Sequence, residues 1–292
     1  MSTPIPITRH QGLEALELRA PDGASATLLL HGGHLLSWCP AGAGEQLYVS
    51  PKSAYATGQA IRGGVPVIFP QFAARGPLQR HGFARTKPWQ LVLAEVGQDD
   101  ALAVLRLCDD PSTRMFWPHG FALELSVRVS GRNLDIELAC ENTGDSAFDF
   151  SAALHSYFRV DAVDACSVLG LEGLHYWDSV SQKESRQRSE LLLPGSPGCE
   201  DLDRIYYQVR QDLGLIETRA LGTARRLAIR QRGFEDAVVW NPGADKGAQL
   251  SDMPPDDYRR MLCIEAASIE RPVQLQPGEE WVGRQSLELL AG

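Results

Sequence analysis

The sequence predicts an all-β protein of antiparallel two-sheet architecture, on three observations. Apolar and polar residues alternate with period two over several runs. Those runs are separated by Gly-, Pro-, Asn- and Asp-rich loops. No segment of helical length carries an apolar stripe at helical spacing, so helices are expected to be few and short.

Taken in order, Ala26–His31, Trp89–Val96 and Ala101–Leu107 read as strands. In Phe121–Ser130, Phe121, Leu123, Leu125, Val127 and Val129 interleave with Ala122, Glu124, Ser126, Arg128 and Ser130. Leu134, Ile136, Leu138 and Cys140 repeat the pattern, and Ser130-Gly131-Arg132-Asn133 between the two runs reads as a hairpin turn. Ala237–Trp240, Met261–Ala266 and Trp281–Leu290 follow, the last after a turn at Gln276-Pro277-Gly278. Short helical turns are expected within Ser181–Leu193 and Asp252–Arg260. There is no linker, low-complexity tract or repeat, and β-sandwiches commonly run to about 200–250 residues as one unit. A single domain over residues 1–292 is therefore expected.

With 43% hydrophobic residues the chain can bury a sizeable core. Its net charge of −9, from 28 basic and 37 acidic residues, argues against nucleic acid or an anionic membrane as partner. No run reaches the ~18 apolar residues of a membrane span, and Met1 to Ala20 lacks the apolar core of a signal peptide. The six cysteines are scattered without Cys-x-x-Cys spacing, as expected of reduced thiols in a cytoplasmic protein. A monomer is the default expectation.

Four constellations carry possible chemistry. Ile61-Arg62-Gly63-Gly64-Val65-Pro66-Val67-Ile68-Phe69-Pro70, closed by Arg80-His81-Gly82-Phe83-Ala84-Arg85, places Arg62, Arg80, His81 and Arg85 around a Gly/Pro-punctuated apolar strand. Guanidiniums beside an imidazole suit an anionic, oxygen-rich small molecule, because each donates two parallel hydrogen bonds. A solvated basic loop is the bland alternative. His155 lies in the apolar run Ala152–Phe158, where a satisfied core histidine competes with a catalytic one. Glu265 lies in the apolar run Met261–Ala267, where it is either in a structural salt bridge with an arginine or a pocket carboxylate whose burial raises its pKa toward that of a general base. Asp203, in Asp201–Tyr206, is either a turn residue or an acceptor for sugar hydroxyls.

Other chemistries find little support. No Gly-x-Ser-x-Gly elbow is present, and Ser156 beside His155 points to the opposite strand face. There is no phosphate-binding glycine loop between a strand and a helix. His31-Gly32-Gly33-His34 lacks further ligands nearby and reads as a β-turn with incidental histidines, so no metal site is expected. A glycosidase built on Glu265 and Asp203 would leave His155 without a role.

Together these motifs resemble the hexose-6-phosphate mutarotases (glucose-6-phosphate 1-epimerases), a branch of the aldose 1-epimerase superfamily. The matching pieces run in order: Arg62-Gly63-Gly64 through Pro70, His81 through Arg85, Trp117-Pro118-His119-Gly120-Phe121, Leu154-His155-Ser156-Tyr157-Phe158, Asp203 through Tyr206, Val239-Trp240-Asn241-Pro242, and Cys263-Ile264-Glu265-Ala266-Ala267. Pro277-Gly278-Glu279 matches the family's final turn. The resemblance implies a galactose-mutarotase-like β-supersandwich with an open cleft, a small-molecule sugar phosphate as partner, and no cofactor. It also implies His155 as catalytic acid, Glu265 as catalytic base, and Arg62, Arg85, His81 and Asp203 as substrate-binding residues. Where the family often has glutamine before the His-Gly-Phe-Ala-Arg motif, this chain has Arg80, preceded by Gln79.

Overall fold

The computed structural model describes residues 2–196, 199–219 and 223–291. The first strands are β1 (Thr3–Pro4), β2 (Thr8–His10), β3 (Leu13–Arg19), β4 (Ser25–Leu29), β5 (His34–Cys39) and β6 (Val67–Ile68). A 3₁₀ turn at Ala84–Thr86 precedes β7 (Gln90–Val96) and β8 (Ala101–Cys108). The short helix α1 (Pro111–Arg114) leads to β9 (Phe121–Ser130) and β10 (Asn133–Asn142). Next come β11 (Phe148–Leu154), β12 (Tyr157–Arg159), β13 (Cys166–Leu169), β14 (His175–Asp178) and β15 (Lys183–Arg186). After β16 (Leu202–Tyr206), β17 (Leu213–Thr218), β18 (Ala224–Arg232) and β19 (Asp236–Asn241) stands α2 (Gly243–Gln249). A 3₁₀ segment, Pro255–Arg260, then enters β20 (Met261–Leu275), and β21 (Glu280–Leu289) closes the fold.

The strands form antiparallel sheets, as the alternation predicts. One has nine strands in the order β1-β7-β8-β9-β10-β21-β18-β17-β13, and a small one holds β2 to β5. The third has eight, in the order β15-β14-β16-β19-β20-β11-β6, with β12 pairing on β20. The β9–β10 hairpin pairs Ser130 with Asn133 across Gly131-Arg132, the turn read from the sequence. Its buried positions follow the predicted alternation through Val129 and from Leu134 onward.

Alternation also splits the eight-stranded sheet into two faces. Phe150, Ala152 and Leu154 of β11, with Leu262, Ile264 and Ala266 of β20, join a core shared with Leu125, Val127, Ile136 and Leu287 of the nine-stranded sheet. One polar pin crosses that core: the buried Ser156 hydroxyl donates to Gln285 Oε1 at 2.5 Å, and Gln285 Nε2 donates to the Ile264 carbonyl. Ser156 thus faces away from His155, as predicted. The sheet's other face, with Asp203 and Ile205 of β16, Val238 and Trp240 of β19, and Glu265 of β20, lines an open cleft.

Several elements depart from the sequence reading. Ser181–Leu193 contains the exposed edge strand β15, not helical turns, because a strand exposed on both faces has no burial alternation to reveal it. Asp252–Arg260 does hold the expected helical turn, of 3₁₀ type. Strand β20 runs on to Leu275, since Pro272 falls in a bulge between the Ala152–Ser268 and Phe150–Val273 pairs. Within the Ile61–Pro70 run only Val67–Ile68 is ladder strand, and single bridges join Gly63 to Val49, Val65 to Leu35 and Phe69 to Gly82.

That run depends on glycine. Gly63 has φ +111°, and a Cβ there would lie 2.3 Å from the Tyr48 carbonyl oxygen. Gly63→Ala is expected to cost about 3 kcal/mol or more in denaturant unfolding. Gly58→Ala, at φ +79° with nothing within 4 Å, should cost only about 1–2 kcal/mol. Equal losses would show that the Gly63 contact is not limiting.

Candidate active site

The cleft has a volume of about 810 Å³. All seven residues singled out from the sequence, Arg62, Arg80, His81, Arg85, His155, Asp203 and Glu265, line it. They come from three sources: the loop between β5 and β7, the junction of β11 and β12, and strands β16 and β20.

The pair on the cleft floor is set by strand register. Leu154 pairs with Ala266 and Tyr157 with Cys263, which brings His155 beside Glu265. His155 lies just past the end of β11, where its N–H donates to the Pro66 carbonyl at 3.1 Å. Its Nδ1 stands 3.2 Å from Glu265 Oε1. His155 is 7% and Glu265 1% exposed, so neither charge is solvated. Burial holds the imidazole well below its ordinary pKa, helped by the positive charge of Arg85 and Arg62 and by His81. Burial pushes the Glu265 carboxyl well above its ordinary range, helped by Asp203 and opposed by Arg80. Burial therefore disfavours the charged form of each group, and at this separation they titrate as a pair. His155 Nδ1 and Glu265 Oε2 have no hydrogen-bond partner among the described residues. Among the described residues no arginine forms a salt bridge with Glu265; its basic neighbour within 4 Å is His155.

The cationic wall is fixed from behind. Arg62 N–H donates to Ser53 Oγ, and its carbonyl accepts from Ser50 N–H and Ser53 Oγ. Its guanidinium donates through Nε and the second amino group to both oxygens of Asp252, and through Nη1 to the Tyr157 hydroxyl at 3.3 Å. Burial opposes the charge on Arg62, but Tyr157 and Asp252 outweigh it and raise its pKa. Arg85 differs. One Nη donates to the Arg80 carbonyl at 2.9 Å, whereas Nε has no partner, and no carboxylate pairs with it among the described residues. Burial therefore lowers its pKa.

His81 has φ +67°, unusual for a residue with a side chain. Reciprocal bonds hold it there: its N–H donates to the Ala73 carbonyl, and its Nδ1 accepts from Ala73 N–H. Burial lowers its pKa to about 3, aided by Arg85, Arg80 and Arg62, so the ring is neutral. Asp203 sits across the ladder from Trp240, its pKa raised by burial despite a hydrogen bond from Ser179 and the charges of Lys246 and Arg80. Arg80 and Arg75 both line the cleft, while Gln79 turns away to donate to the Gly82 carbonyl. Lys87 also turns away, hydrogen-bonding Ser112.

Sequence reasoning missed several lining groups. Tyr157 stacks on His155 at 4.7 Å and 11°, and Trp240 meets the same ring edge-on at 6.0 Å. Their place in strands of the same face was the available signal. Asp252 carries no motif that could have tied it to Arg62. Nor are His31 and His34 incidental: their Nε2 atoms, each at 2.8 Å, hold the carbonyls of Gln59 and Gly63 and so brace the loop that carries Arg62.

Antiparallel sheets with a polar cleft on one outer face define the galactose-mutarotase-like class of fold, seen in a galactose mutarotase-like protein from Clostridium acetobutylicum (TM-score 0.70, 14% identity, 99% of this chain and 98% of that one). Residues 14–288 match the family described as aldose 1-epimerase, and the chain belongs to that family. It is 32% identical over 286 residues, 94% of this chain and 84% of the other, to a Cenchrus ciliaris protein named "Putative glucose-6-phosphate 1-epimerase". A protein of the same name from Escherichia coli is 36% identical over 267 residues, 90% of this chain and 86% of its own. The crystal structure of a "putative mutarotase" from Salmonella typhimurium superposes with TM-score 0.86 at 28% identity, covering 99% of this chain and 97% of that one.

The neutrality of both cleft imidazoles is testable. In NMR titrations, with signals assigned through His81→Asn and His155→Asn, neither ring should take a proton between pH 8 and about 5.5, because both pKa values are displaced downward from the ordinary ~6.5. A midpoint near 6.5 for either would mean that water reaches it freely.

Proposed function

We propose that this protein is an isomerase that interconverts the α and β anomers of aldohexose 6-phosphates by acid–base ring opening and reclosure. The observation that carries this reading is the placement of Arg85, a largely buried guanidinium with an unpartnered Nε and no carboxylate, in the same cleft as the His155–Glu265 pair. A buried cation without a counter-charge is costly, and a bound anion relieves it. A neutral sugar would not. The names of the Cenchrus ciliaris and Escherichia coli relatives support the same substrate.

The chemistry needs one proton removed from the C1 hydroxyl and one delivered to the ring oxygen. Glu265 as carboxylate takes the first, and His155 as imidazolium gives the second. The pair ends with its proton on Glu265 and a neutral imidazole, the form that burial favours. Rotation about C1–C2 exposes the other face of the aldehyde, and reclosure runs both transfers backward. The substrate's phosphate, drawn to Arg80 and Arg85, offsets the positive field that keeps His155 neutral and makes the charged form reachable once substrate is bound. Tyr157 and Trp240 offer ring faces to sugar C–H groups, and Asp203 and His81 offer acceptor and donor atoms to its hydroxyls.

The cleft draws its lining from residues spread between Arg62 and Glu265, which supports reading residues 1–292 as a single domain. Six unpaired cysteines and a sugar-phosphate substrate suit the cytoplasm. Among the described residues no helix is long and apolar enough to cross a membrane.

Anomer exchange measured by NMR magnetisation transfer tests the reading directly. Wild type should accelerate exchange of glucose 6-phosphate well beyond that of glucose. Glu265→Gln should lose roughly 10²–10⁴-fold of that acceleration, since the amide neither takes nor gives the proton, while binding glucose 6-phosphate with unchanged affinity by calorimetry. Normal exchange in the variant would remove Glu265 from the chemistry, and equal acceleration of the two sugars would remove phosphate from recognition.

A further inference from the structure

Next to the His155–Glu265 pair lies a nucleophilic group that proton transfer does not use. Cys263 lies two residues before Glu265 on β20, so both side chains leave the same face of the sheet. Its thiol is fully buried, with Tyr157 and Trp240 as its neighbours on the two flanking strands, in a small cluster apart from the main core. Ligand atoms of His155, Cys263 and Glu265 all lie within 4.8 Å of one another. His155 Nδ1 and Glu265 Oε2, both on residues more than nine-tenths buried, have no hydrogen-bond partner among the described residues.

We propose that His155, Cys263 and Glu265 form a three-ligand site for a thiophilic divalent cation such as Zn²⁺, and that a cation bound there inhibits the enzyme. Sulfur, nitrogen and oxygen donors together are a common tetrahedral zinc ligand set, and His155 and Glu265 line the cleft from which a fourth ligand would come. Bond lengths of about 2.0–2.3 Å place tetrahedral ligands roughly 3.3–3.8 Å apart, so the three side chains need to close by only about 1 Å. The thiolate selects zinc or cadmium over magnesium or calcium, which prefer all-oxygen shells.

Charge favours this ligand set as well. Arg62 and Arg85 stand close enough to His155 to oppose a bare cation. A thiolate and a carboxylate together cancel the dication, so the loaded site is neutral. No redox step is involved. The inhibitory half of the proposal rests on the acid–base reading of the cleft, because the metal takes the lone pairs that would carry protons. The binding half does not.

The test uses the full chain with Co²⁺ as spectroscopic probe and Zn²⁺ as inhibitor. Wild type should show a near-ultraviolet thiolate-to-cobalt band with intense tetrahedral d–d bands. Both should be lost in Cys263→Ser and in Cys263→Ala, the second variant guarding against misfolding of the first. Stoichiometric Zn²⁺ should slow glucose 6-phosphate exchange by roughly 10²-fold or more, since both proton-transfer groups become ligands, and EDTA should restore it. Cys263→Ser should exchange anomers without metal and resist the same Zn²⁺ concentration. Absence of the sulfur band, or equal zinc inhibition of wild type and Cys263→Ser, would overturn the site. A sulfur band in a protein that never accelerates exchange would leave the site standing and remove the function proposed above.

Discussion

The constraint on which the rest of the molecule depends is the burial of a carboxyl group in the middle of a sheet. Glu265 sits on β20, which is paired along both edges, by β19 on one side and by β11 and β12 on the other. A strand so held cannot swing its side chain into water. The carboxyl must therefore stay neutral, share a proton with a neighbour, or meet a ligand. His155 stands 3.2 Å away as the neighbour with which it can exchange a proton, and burial disfavours the charged form of the imidazole as well. Ser156, one residue on, ties the opposite face to Gln285 of the nine-stranded sheet, so packing between the sheets fixes where the imidazole stands.

The arginine wall follows a contrasting rule. Arg62 is charged in place by Asp252 and Tyr157, and the loop beneath it is held by Ser50, Ser53 and His34. Burial lowers the His34 pKa to about 4, so its bond to the Gly63 carbonyl keeps a neutral donor at working pH. That wall is rigid and internally neutralised. Arg85 and Arg80 have no carboxylate partner among the described residues, and they supply the attraction that a phosphate would feel. Against a chain carrying −9 overall, such capture has to be local.

Much of the fold was legible because one-sided burial writes period two into the sequence. The β9–β10 hairpin shows this most clearly: one face joins the core, the other meets solvent, and Gly131 at φ +55° marks the turn. Strand β16 was not legible, because Asp203 on its cleft face and Arg204 on the other break the apolar pattern on both sides. Strand β15, exposed throughout, had no pattern to read. In the site, residues embedded in motifs could be named in advance, whereas Asp252, which orients Arg62, could not. Its role exists only because α2 and the segment after it fold back over the β5–β6 loop, where the Asp252 carbonyl accepts from Ser50 Oγ. Tertiary contacts of this kind leave no local trace.

Placing Glu265 on a doubly paired strand and His155 at the junction of β11 and β12, with the arginines on a loop, separates two demands that conflict. Proton transfer needs donor and acceptor fixed to within a few tenths of an ångström, which paired strands provide. Recognition of a charged, mobile group tolerates more variation and benefits from side chains that reach, such as Arg80 and Arg75 at the mouth of the cleft. Arg80, exposed on the loop before His81, can change without moving His155 or Glu265. The same separation explains why the cleft floor is aromatic. Tyr157 and Trp240 keep the dielectric around the pair low and so hold its proton unsolvated, while leaving the rim wet enough for a phosphate to enter.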